Sequence, residues 1–146
     1  MLCPRCKVEM QTDQYQGLPV EHCPSCHGRW LDYPELDELE ATVASEDERR
    51  AQIIYDPRPS ELACPKCGKK MTAFDYRAYN LELNTCEDQH GFWLDAGEEG
   101  RIRDIVAERV RDLHRAASAE ASWAQFLDHM RHPSFLDHVK GFFRGR

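Results

Sequence analysis

Six of the seven cysteines fall into three Cys-x-x-Cys pairs, Cys3/Cys6, Cys23/Cys26 and Cys64/Cys67, and Cys86 stands apart. An odd count fits poorly with a disulfide framework, whereas paired thiols at this spacing are the usual knuckles of a tetrahedral metal site. The chain has need of a metal. It has 146 residues, 31% of them charged, and a mean hydropathy of -0.70, so there is limited apolar material for one large core.

The cysteines belong to a repeat. Cys3-Pro4-Arg5-Cys6-Lys7-Val8-Glu9-Met10 matches Cys64-Pro65-Lys66-Cys67-Gly68-Lys69-Lys70-Met71 at an offset of 61 residues. Further on, His27-Gly28-Arg29-Trp30-Leu31-Asp32 matches His90-Gly91-Phe92-Trp93-Leu94-Asp95, with Cys23 facing Cys86, at an offset of 63. The second copy therefore carries two extra residues in its middle loop.

Between the ligand pairs each copy reads as a short β-hairpin. Val8–Gln14 and Leu18–His22 flank a turn near Gly17, and Met71–Tyr76 and Leu81–Thr85 flank Tyr79-Asn80. After each Trp-Leu-Asp comes a helix start, because Asp32-x-x-Glu35 and Asp95-x-x-Glu98 have capping-box spacing. Pro34 suits a first helical turn, where its missing N–H has no partner to lose. Leu36, Leu39 and Val43 mark one apolar stripe; Ile102, Ile105, Val106, Val110 and Leu113 mark a stronger one.

Pro57 and Pro59 make residues 53–63 read as an extended linker, since they block helix and weaken strand. The organisation that follows is a first module at 1–52, this linker, a second module at 64–115 and a helical extension at 116–146. In the extension, Trp123, Phe126, Leu127 and Met130 have helical spacing and Pro133 interrupts. Phe135, Leu136, Val139, Phe142 and Phe143 then form a second stripe before Lys140, Arg144 and Arg146. The fold class is small α+β and zinc-binding: two tandem ribbons, each a hairpin with cysteine knuckles followed by a helix, plus C-terminal amphipathic helices.

A structural zinc wants four N or S ligands with Zn–S near about 2.3 Å. The first copy offers Cys3, Cys6, Cys23 and Cys26. In the second, the place of Cys26 is taken by Gln89, a poor ligand, and the next residue gives Cys86-x-x-x-His90, so its set is Cys64, Cys67, Cys86 and His90. Two zincs per chain use every cysteine. His27 aligns with His90 and is a second candidate for the vertex of Cys26. A thiolate at Cys-x-x-Cys spacing is the stronger donor pattern, so His27, like His22, is expected beside the site. Four thiolates suit iron as well as zinc, and the histidine of the second copy leans to zinc.

Both sites read as closed, whereas a catalytic zinc keeps a position open for water. With no His-Glu-x-x-His helix, phosphate-cradling glycine loop or Gly-x-Ser-x-Gly elbow, the chain is expected not to be an enzyme. It also opens without a charged segment leading into an apolar one, and no apolar run approaches the roughly 18–20 residues that span a bilayer. These features and the cysteine usage point to a reducing cytoplasm.

The tail Cys-Pro-Ser-Cys-His-Gly-Arg-Trp-Leu-Asp-x-x-Glu of the first copy resembles the transcription factor IIB-type zinc-finger family of small bacterial proteins. The resemblance covers residues 3 to about 40 and 64 to about 100. It implies a zinc-ribbon fold and the ligand sets above. The family name suggests transcription, but ribbons serve equally as protein-docking knuckles, nucleic-acid grips and structural clips.

The net charge of -7, with nine acids against three bases between Pro34 and Ala63, lacks the footprint of a non-specific DNA binder. Trp30 and Trp93 are candidate base-stacking platforms, but their place just before the helix cap favours a core anchor. Arg101, Arg103, Arg109, Arg111 and Arg115 are interleaved with acids, which favours a solvated helix face over a phosphate-binding stripe. His129-x-x-His132 beside Asp128 reads as ordinary surface histidine rather than a third metal site. The leading expectation is a protein-binding adaptor that docks a partner, or self-associates, through the C-terminal aromatics. The alternatives are a nucleic-acid-associated regulatory factor and a thiol-based redox or zinc sensor.

Overall fold

The computed structural model describes residues 1–131, and the chain divides into two units, Met1–Glu108 and Arg109–Arg146. Its elements run β1 (Gln11–Tyr15), β2 (Leu18–His22), β3 (Arg29–Leu31), α1 (Tyr33–Ala41), α2 (Glu46–Arg49), β4 (Ile54–Ala63), β5 (Lys70–Tyr76), β6 (Glu82–Thr85), β7 (Phe92–Leu94) and α3 (Glu98–Arg131). The two expected hairpins are β1–β2 and β5–β6. What the repeat did not announce is that both modules share one antiparallel sheet, in the order β1-β2-β3-β7-β6-β5-β4.

The seam is the pairing of β3 with β7, where Arg29 faces Leu94, Trp30 faces Trp93 and Leu31 faces Phe92. Trp30 and Trp93 are equivalent in the repeat, so each meets its own counterpart across a local pseudo-two-fold axis. Alternation along these strands then sorts side chains to two faces. On one face, Trp30, Trp93, Met10 and Met71 cluster with the buried cysteines of both modules. On the other, Leu31, Phe92 and Leu94 join Val20, Phe74 and Leu83 under Leu36 and Leu39 of α1 and Ile102, Ile105 and Val106 of α3.

Helix α1 starts as its sequence dictates. The Asp32 carboxylate accepts from the Glu35 N–H (2.9 Å), the Glu35 carboxylate accepts from the Asp32 N–H (2.8 Å), and Pro34 sits in the first turn. The second module makes only half of this box. Glu98 accepts from the Asp95 N–H (2.7 Å), but the Asp95 side chain is drawn off by Arg5 and by the Trp93 indole N–H.

The segment at 53–63 corrects the linker reading. From Ile54 it is a ten-residue strand paired with β5, with Arg58 opposite Ala73 and Pro59 opposite Thr72. Its prolines are tolerated because β4 is the outermost strand and needs no donors on its free side. The register shifts between Tyr55 and Arg58, where Asp56 takes a positive φ of 47°.

A buried ion pair joins the modules on the helix side. Glu40 of α1 (2% exposed) accepts from Arg77 of the β5–β6 turn (3% exposed) at 2.8 and 3.1 Å, and from the Tyr76 hydroxyl. Loss of either charged partner strands the other in an apolar setting, a cost of about 3–5 kcal/mol. Burial first, and then the Glu40 carboxylate, push the Tyr76 phenol well above its ordinary value.

Helix α3 runs on past residue 115, where the second module was expected to give way to an extension. The stretch Ala116–Ala124 is rich in alanine and has no Gly or Pro to stop a helix. In the second unit its residues are largely exposed, with Trp123 at 61% and Phe126 at 48%, and these two rings stack 5.3 Å apart. The residues from His132 on, including Pro133, the Phe135–Phe143 stripe and the basic tip, lie outside the described residues.

Candidate metal centres

Three of the four knuckles share one backbone design. The N–H of the first cysteine, Cys3, Cys23 or Cys64, donates to the carbonyl five residues on, that of Val8, Gly28 or Lys69, at 2.8–2.9 Å. The cysteine's own carbonyl accepts from the N–H four residues on, that of Lys7, His27 or Gly68, and this residue has positive φ: 61°, 61° and 75° respectively. Such a turn aims several amides at the thiols it encloses, as with Cys26 N–H to Cys23 Sγ (3.5 Å) and Lys66 N–H to Cys64 Sγ (3.4 Å).

The fourth knuckle keeps the outer bond, Cys86 N–H to Gly91 O (3.2 Å), but closes one residue early, with Gln89 N–H on Cys86 O (3.0 Å). The positive φ moves with it to Gln89 (59°). The next residue, His90, is thereby released from the left-handed position, and its Nδ1 comes within 3.4 Å of Cys86 Sγ and 3.8 Å of Cys64 Sγ. His27 holds the left-handed position in its own knuckle. It is exposed and stacks on His22 with ring centroids 5.5 Å apart, so both histidines lie beside the first site.

Cys3, Cys6, Cys23 and Cys26 come together in one cluster, and Cys64, Cys67, Cys86 and His90 in another. Within each, the four ligand atoms lie within 4.8 Å of one another. The sulfur separations in the first are 3.4 Å for Cys3–Cys6, 3.3 Å for Cys6–Cys23 and 3.6 Å for Cys3–Cys26; in the second, Cys67–Cys86 is 3.6 Å. A tetrahedron with Zn–S of about 2.3 Å has an S–S edge of about 3.8 Å, whereas a disulfide is only about 2.05 Å long. All seven cysteines are free thiols, so the two clusters are suited to hold two zinc ions.

The electrostatics ask for a cation. Burial pushes the Cys3 thiol up to about 12 and the Cys64 thiol up to about 11. Burial also acts on Cys23, but the Cys26 amide and the Cys6 thiol outweigh it and bring Cys23 down to about 6. Cys67, at the surface, is lowered to about 7, chiefly by the Lys69 amide. Each cluster thus mixes a thiol that resists ionisation with one that ionises readily, and a divalent ion is what allows all of them to be thiolates together.

Trp30 and Trp93 are core residues, 2% and 0% exposed. Each covers the knuckle of the other module: a methyl on Gly28 would overlap the Trp93 ring, and one on Gly91 would lie 2.9 Å from the Trp30 ring and overlap Leu31 O. The repeated Gly of His-Gly-x-Trp was the one sign of this exchange in the sequence. Arg5, in the first knuckle, extends it by bonding Asp95 just ahead of α3 (2.6 Å).

Among the described residues no helix is long and apolar enough to cross a membrane. A family model described as Transcription factor zinc-finger matches residues 2–42. No curated protein and no solved structure matches the chain. The second ribbon rests on the internal repeat and on its own ligand cluster.

Proposed function

We propose that the chain, whose residues 2–42 match the transcription factor zinc-finger family model, is a non-enzymatic, zinc-stabilised adaptor that binds another protein. The observation that carries this reading is the closure of both metal sites. Each has four protein ligands and leaves no vertex for water or substrate, so zinc serves the fold. Structural zinc in modules of this size contributes apparent free energies of about 10–16 kcal/mol per site. A reducing cytoplasm suits the free thiols, and the exposed Trp123 and Phe126 on α3 are large apolar surfaces of the kind that interfaces use.

The family's name favours nucleic acid as the second reading. Against it, Trp30 and Trp93 are buried and have no face to offer a base. Arg101 donates to Asn80 O (2.8 Å) and Arg103 to the Thr42 hydroxyl (3.0 Å), so two of the five helix arginines serve packing.

The test uses zinc-loaded full-length protein. Affinity purification with nuclease present should retain a stoichiometric protein partner, identified by mass spectrometry, that is lost when zinc is chelated. Oligonucleotide binding with a steep salt dependence, and no such protein, would overturn the adaptor reading.

A further inference from the structure

The pseudo-two-fold leaves the sheet unequal at its ends. In the second half β4 covers the outer edge of β5, with Arg58 opposite Ala73. Glu21 pairs with Trp30 as Asn84 pairs with Trp93, and Thr12 pairs with Glu21 as Ala73 pairs with Asn84, so Thr12 is the counterpart of Ala73. Nothing among the described residues takes the place of β4 beside Thr12. β1 is terminal in the sheet, and Gln11–Gln14 are exposed.

The open edge has a readable pattern. Pro19, opposite Gln14, has no N–H, so the bonded pairs of the hairpin are Tyr15–Leu18, Asp13–Val20 and Gln11–His22. The N–H and C=O of Thr12 and the C=O of Gln14 therefore face outward, while the Gln14 N–H is taken by the Asp13 carboxylate (2.8 Å). β1 itself carries neither the Pro nor the Lys with which natural edge strands are blunted. In the second half, the β4 residue next along this face, Ser60, bonds Asn84 at 2.5 Å; in the first half the counterpart of Asn84 is the carboxylate of Glu21.

We propose that the free edge of β1 docks a basic, extended segment of a partner protein, which adds an antiparallel strand where β4 adds one at the other end of the sheet. This rests on the adaptor reading and names the partner's chemistry. The segment supplies main-chain bonds to Thr12 and Gln14 and sets a Lys or Arg, at the position of Ser60, against Glu21. A second copy of this chain is the poorer occupant. Pairing two β1 edges brings the Asp13 carboxylates of both copies to one seam in a chain of net charge -7.

The probe is a capped synthetic peptide with the sequence of residues 53–63 carrying Ser60→Lys, together with Asp56→Asn and Glu61→Gln to make it basic, titrated into zinc-loaded, isotopically labelled full chain. Amide shifts should concentrate at Thr12 and Gln14, with a Kd on the order of 1 mM. Glu21→Lys should weaken binding about fivefold, and a probe carrying Ser60→Glu should restore it, a charge swap that no folding defect imitates. Absence of shifts at Thr12 and Gln14, shifts at Ala73 and Asp75 instead, or protection of Thr12 that grows with protein concentration alone would each overturn the proposal. A zinc-dependent partner that binds unchanged to the Glu21→Lys protein would sink this docking site and leave the adaptor reading standing.

Discussion

His27 and His90 hold matched places in the repeat, yet one stacks on a neighbouring ring at the surface and the other contributes a ligand atom. The difference is a one-residue shift of the left-handed position, from His27 in one knuckle to Gln89 in the other. His27→Ala should therefore leave two zincs per chain in native mass spectra. His90→Ala should weaken the second zinc on the order of a hundredfold in a chelator competition, a quarter share of about 10–16 kcal/mol per site. At Gly28 an added methyl has nowhere to go, because the Trp93 ring occupies its place. Gly28→Ala should lower stability by about 1–3 kcal/mol in urea denaturation, and Trp93→Leu in the same chain should recover part of it. The eight ligand residues were legible because spacing and the repeat are local. That each glycine serves the tryptophan of the opposite module was not, because a repeat reveals which residues are equivalent and not which of them meet.

Helix α1 was legible through its capping box and apolar stripe, and the hairpins through their turns. The strand β4 was not. Two prolines argue against a strand only where donors are needed on both sides, and the sequence does not say that this one lies at an edge. Likewise, the capping box of α3 was half right, since Asp95 is diverted by Arg5, which lies 90 residues away in sequence. Its remaining arm, Glu98, has its carboxyl raised to about 7, first by burial and then by the Asp95 charge, against the lowering effect of the Asp95 amide. A carboxyl with a raised folded pKa contributes stability that is fully present below about 4.5 and is lost as pH rises through about 7. Glu98→Gln keeps an acceptor for the Asp95 amide without this loss. Its stability relative to the parent should rise by about 1 kcal/mol between pH about 5.5 and about 8, after discounting for screening, as read by paired urea titrations.

At the scale of the molecule, two ribbons that sequence presents as beads share one sheet and one metal-side cluster, in which Cys3, Cys23 and Trp30 pack with Cys64, Cys86 and Trp93. Chelation should therefore release both zincs in one cooperative step, followed by tryptophan fluorescence together with a colorimetric zinc indicator. Cys64→Ser should speed loss of the first-module zinc although Cys64 belongs to the other ligand set. Two independent release steps, with the first site unaffected by Cys64→Ser, would mean that the modules do not communicate. At the seam Trp30 meets its own counterpart, Trp93. In a dimer of identical ribbons every substitution arrives twice, once on each side of the axis, and a change at the seam meets its own image. Joined in one polypeptide, the halves mutate singly, so one keeps four cysteine ligands while the other trades a cysteine for a histidine, and one gains a covering strand that the other, among the described residues, lacks.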